Sequence, residues 1–116
     1  MYINELTFKI TTEAAPHSFE VDDLIAGTIQ ELNLKGYKTA FCCSGHIADR
    51  YPEYAYISFW FGEITPEELP DGWYWVEDGL MEYEYKSRSA EELELEIPAV
   101  MDELEIWARG LPNTKR

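Results

Sequence analysis

Basic residues are scarce in this chain. Nine lysines and arginines face 23 aspartates and glutamates, a net charge of −14. Affinity for nucleic acid or for an anionic membrane comes largely from Lys and Arg releasing counterions, so this balance argues against both as partners. It favours a basic protein or a cationic ligand. Segment 51–88 alone carries −7, with nine acidic and two basic residues. Cysteine is scarcer still. Cys42 and Cys43 are the only two and are neighbours, so they cannot staple distant segments, which points to a reducing, cytoplasmic setting. No run of about 18 uncharged apolar residues occurs, and the first residues, MYINELTFKI, lack a basic stretch leading into an apolar one. Membrane spanning and secretion are therefore not expected.

Linkers, repeats and low-complexity stretches are also missing, apart from the Glu-rich run 91–96. The 116 residues, 46% of them hydrophobic and 15% aromatic, suit a single domain over 1–116 with one core. Residues 2–10 alternate as a first strand would. From Val21 to Leu34 the apolar positions keep helical spacing, with Asp22 and Asp23 in the first turn, Lys35 in the last and Gly36 as the left-handed stop, predicting a helix over 21–35. Strand formers follow at 37–43 and 54–61. Thr65, Pro66 and Glu68 predict a single helical turn over 66–69.

Asp78-Gly79 is the strongest hairpin signal, joining runs 73–77 and 80–86. A two-residue turn there would oppose Val76 to Met81, Trp75 to Glu82 and Trp73 to Glu84. Tyr74, Val76, Met81, Tyr83 and Tyr85 would then face the core. Trp73 and Trp75 would form an exposed platform for a cationic or basic partner unless the last helix covers them. Ser89 and Glu92 frame a second capping box, opening a helix over 89–110 with a kink at Pro98. The expected fold is α+β, a mainly antiparallel sheet of about five strands with the two main helices packed on one face.

Reactive side chains concentrate in GYKTAFCCSGH, residues 36–46, and in Arg50 beyond. Strand alternation puts Tyr37, Thr39, Phe41 and Cys43 on one face. A strand ending at Cys43 would deliver Thr39, Cys43, Ser44, Gly45, His46 and Arg50 to a common ligand site, the leading candidate for function. A non-catalytic accessory protein binding a small ligand or another protein is the reading preferred, with no cofactor and no metal. Three rivals stay open. Cys42 or Cys43 with His46, and His17 or Asp49, could form a zinc shell. A cysteine could act as a nucleophile beside His46, although six residues separate Cys43 from Arg50 where a phosphatase loop has five. The acidity would also permit a mimic of nucleic acid that occupies a basic protein surface.

The stretch GYKTAFCCSGH resembles a pattern of small uncharacterised proteins from Gram-positive bacteria and their phages. More distantly it is similar to the strand-end motif of the wybutosine-synthesis methyltransferase family, which Thr39, Cys43, Ser44 and Gly45 match. His46 stands where that family has arginine, and the substitution removes a fork-shaped phosphate grip. The resemblance implies a related α+β arrangement.

Overall fold

In a computed structural model, which describes residues 1–47 and 50–114, the chain forms two helices and seven strands in two antiparallel sheets. The first sheet orders its strands β2-β1-β3, from β1 (Tyr2–Asn4), β2 (Ile10–Thr11) and β3 (Ser18–Glu20). The second runs β4-β5-β7-β6, from β4 (Thr39–Cys43), β5 (Tyr54–Phe59), β6 (Trp73–Glu77) and β7 (Leu80–Glu84). Helix α1 (Asp23–Leu34) and helix α2 (Ala90–Gly110) pack against each other. One apolar cluster joins both sheets and both helices, from Ile3 through Ile25, Ile29, Ile57 and Met81 to Leu93, Met101 and Leu104. No described helix is long and apolar enough to cross a membrane.

The expected single sheet divides because residues 2–10 do not stay extended. Asn4 Oδ1 accepts the N–H groups of Leu6 and Thr7 at 2.8 and 3.1 Å, and Phe8 takes a left-handed φ of 57°. An Asx-type turn of this kind reverses the chain, so β2 folds back on β1. The turn expected at 66–69 is not helical either. There Pro66 is buried, Leu69 packs on the core and the Glu68 carbonyl accepts Trp107 Nε1–H at 3.0 Å, contacts that hold the segment in an irregular path.

Helix α1 ends as its sequence predicts, with Gly36 at φ 99°. The Lys35 ammonium turns away to the last turn of α2, donating to the carbonyls of Ala108 and Arg109. Cationic groups are favoured at a helix C-terminus, so one lysine ties the two helix ends together. Helix α2 continues through Pro98. Ser89 Oγ accepts Glu92 N–H at 3.2 Å, while the Glu92 carboxylate reaches back to Arg88 N–H rather than to Ser89.

The hairpin forms where Asp78-Gly79 places it, but its register changes one residue from the turn. Glu77 pairs with Leu80 as expected; Trp75 then pairs with Met81, Tyr74 with Glu82 and Trp73 with Tyr83, with Val76 as the extra residue. Such a bulge inverts the facing of every residue before it on that strand. Trp73 becomes a core residue, 8% exposed, with its ring centroid 5.7 Å from that of Tyr83. Val76 is exposed instead, and Tyr74, not a tryptophan, meets the Glu82 carboxylate, at 2.7 Å.

Candidate functional site

Residues 44–46, which follow β4, are held in place from below. Gly45 adopts φ 100°, open to glycine but costly for other residues. A Cβ at this position would lie 2.7 Å from Tyr85 Cε2. The buried Tyr85 hydroxyl donates to the Ser44 carbonyl at 2.6 Å, so the ring both supports Gly45 and fixes the carbonyl before it. Burial first, then the Glu96 charge, pushes the Tyr85 phenol well above its ordinary pKa, and it remains a donor.

Asp22 fastens this loop to the start of α1. As N-cap of the helix it would normally accept N–H groups of the first turn, yet it makes no such side-chain bond. Its Oδ2 instead accepts Ser44 Oγ–H at 3.0 Å and Ser44 N–H at 3.3 Å. The Glu53 carboxylate accepts His46 N–H at 3.1 Å from the other side. Between these carboxylates, Cys43 Sγ lies 3.3 Å from His46 Nε2, and Gly45 N–H points at the same sulfur at 3.4 Å.

A cysteine this close to an imidazole has the geometry of a nucleophilic pair, but its electrostatics oppose that role. A reactive cysteine needs a lowered pKa. Burial raises that of Cys43; the Gly45 bond only partly offsets this, and Asp22 and Glu53 raise it further. The Cys42 thiol is pushed up to about 12, by burial and then by Asp22 and Cys43. Both thiols are therefore protonated at neutral pH.

The expected site residues divide. Ser44, Gly45 and His46, with Cys42, line an open hollow of about 520 Å³ together with Glu20, Val21, Asp22, Asp23 and Leu24. Cys43 touches this group through His46. Thr39 stands at the far end of β4, nearly buried, where Asn33 Nδ2–H donates to its hydroxyl at 3.0 Å and Asn33 Oδ1 accepts its N–H at 3.3 Å. It lines a different depression from the one at Ser44 and His46. Arg50 is exposed and does not line the hollow. A bulge between Thr39 and Phe41 breaks the expected alternation, so that Phe41 faces solvent although Thr39 does not.

His17, offered for a zinc shell, sits before β3 in a left-handed conformation, its carbonyl accepting Glu5 N–H. Asp49 lies outside the described residues. Among the described residues no group of three His, Cys, Asp or Glu is arranged to hold a metal ion. Of the two tryptophans, Trp73 belongs to the core, and Trp75 is 38% exposed with its ring 6.2 Å from Phe59. Sequence reasoning missed Asp22, Glu53 and Tyr85. Asp22 is legible as a helix start, but nothing local reveals that its carboxylate turns outward to Ser44.

Compared with known proteins, the chain matches no family model, no curated protein and no solved structure.

Proposed function

We propose that the protein is a non-catalytic binding protein whose hollow at the end of β4 takes a small cationic ligand. The observation that carries this reading is the make-up of the wall. Glu20, Asp22 and Asp23 line the hollow together with Ser44 and His46, and among the described residues no lysine or arginine does. The Met1 amino group offsets one charge through Asp23, at 3.0 Å. The first turn of α1 supplies about half a positive charge more, leaving a net of roughly −1.5. A ligand bearing an ammonium or guanidinium group would find carboxylate acceptors in Glu20, Asp22 and Asp23, beside the His46 imidazole. Because the thiols stay protonated, binding without covalent chemistry fits the loop better than nucleophilic attack.

Titration of the ¹⁵N-labelled protein with spermidine tests the reading. Saturable shifts should concentrate at the amides of Asp22, Asp23, Ser44 and His46, and Asp23→Asn should weaken them about fivefold or more, as expected for loss of a close charge pair. Shifts spread evenly over the acidic surface, or insensitive to Asp23→Asn, would show general charge attraction and sink the proposal.

A further inference from the structure

A second depression of about 560 Å³ runs between β3 and β4 and shares Glu20, Val21 and Cys42 with the first. Each of these is the outermost strand of its own sheet, so two strand edges border one groove. At Thr39 and Ser44 the N–H groups of the β4 segment are taken by Asn33 and Asp22. Between these caps Phe41, Cys42 and Cys43 pair with β5, Ala40 is the extra residue of the bulge, and among the described residues no strand pairs with the other edge of β4. An uncovered edge is a template for another extended chain. Here it lies beside unusually exposed aromatic surface, with Phe41 at 69% and Trp60 at 58% exposure.

Charge chooses the occupant. Among the described residues Lys38 is the only basic side chain in the groove, and Glu63 holds it at 3.6 Å. Glu5 and Glu20 stand in the same wall, and among the described residues neither forms an ion pair. A second copy of the chain would bring another −14 to the contact. An apolar small molecule would leave both the strand edge and the carboxylates unused.

We propose that this groove binds an extended segment of a partner polypeptide, one that adds to the open edge of β4 and alternates apolar with basic residues. Strand alternation sends every second side chain to the same face. The apolar ones rest on Phe19, Phe41 and Trp60, and the intervening lysines or arginines approach Glu5 and Glu20. Main-chain bonds to Phe41–Cys43 supply affinity, while the overall negative field hastens encounter with a basic segment.

The probe is a fluorescein-labelled, C-terminally amidated heptapeptide of alternating lysine and valine, followed by fluorescence anisotropy and amide hydrogen exchange. We expect saturable one-to-one binding, slowed exchange within 39–43, and about a tenfold loss of affinity when alternate peptide nitrogens are methylated, the consequence of losing roughly 1.4 kcal/mol of main-chain bonding. Phe41→Ser and Glu5→Lys, both at exposed positions, should each weaken binding about fivefold or more. Asp23→Asn, in the other hollow, should leave it unchanged, so that failure of one site is distinguishable from failure of the other. Equal affinity for the methylated peptide would overturn the proposal in favour of plain charge attraction. Absence of binding, protection elsewhere, or concentration-dependent protection of 39–43 without peptide, the mark of self-association, would overturn it equally.

Discussion

Replacing Gly45 with alanine should destabilise the fold more than the same change at Gly62, and the difference isolates one packing contact. Both glycines have positive φ, 100° and 79°. At either one alanine meets a left-handed penalty of about 1–2 kcal/mol. Lost freedom in the unfolded chain offsets about 0.4–1 kcal/mol of it. Gly62 has no atom within 4 Å of the added methyl, so its net cost should be about 1.6 kcal/mol or less. At Gly45 the methyl would stand 2.7 Å from Tyr85 Cε2 and 3.3 Å from the Tyr54 carbonyl. Tyr85 is fully buried and its hydroxyl is held by Ser44, so the ring cannot swing aside freely. Overpacking of that kind adds about 1–3 kcal/mol. With an m-value of about 1–3 kcal/mol per molar in urea, the two variants should differ in midpoint by about 1 M at unchanged slope. Equal midpoints would refute the claim that Tyr85 is locked beneath the loop.

Two further outcomes follow from buried polar groups. Asn33→Ala removes the side chain that bonds both the N–H and the hydroxyl of Thr39 as well as the Ile29 carbonyl; leaving buried groups unpaired should cost about 2–3 kcal/mol by urea denaturation, and a loss below 0.5 kcal/mol would mean that water reaches Thr39. The raised Cys42 thiol makes stability depend on alkaline pH. Its folded pKa exceeds its ordinary value, so the unfolded chain gives up this proton first; the stabilisation is complete below about 9 and drains away as pH rises towards about 12. Cys42→Ser should flatten that part of the stability curve, and iodoacetamide at neutral pH should label the folded protein slowly. An unchanged alkaline slope in Cys42→Ser, with rapid labelling, would contradict the burial ascribed to this thiol.

Local signals carried the sequence reading a long way. The α+β class, both helices, the Gly36 stop, the Ser89 cap and the Asp78-Gly79 hairpin are all written in short-range patterns, because each depends on the φ a residue tolerates or on bonds within one turn. Readings that rest on phase over several residues fared worse. A single bulge at Val76 moved Trp73 into the core, another after Thr39 turned Phe41 outward, and neither residue carries a sequence mark that distinguishes it from regular strand.

The sequence by itself determined the charge, the adjacency of the two thiols, the helix limits and the concentration of polar groups after Cys43. Only the tertiary structure decided which of those groups meet. It brought Asp22 to Ser44 and Glu53 to His46, sent Thr39 to Asn33 and left Arg50 exposed. It also set the edges of β3 and β4 along one groove. The physical reason is range. A cap or a turn is satisfied within a few residues, whereas a carboxylate at an N-cap has several possible partners of similar energy, and packing of α1 against both sheets selects one of them.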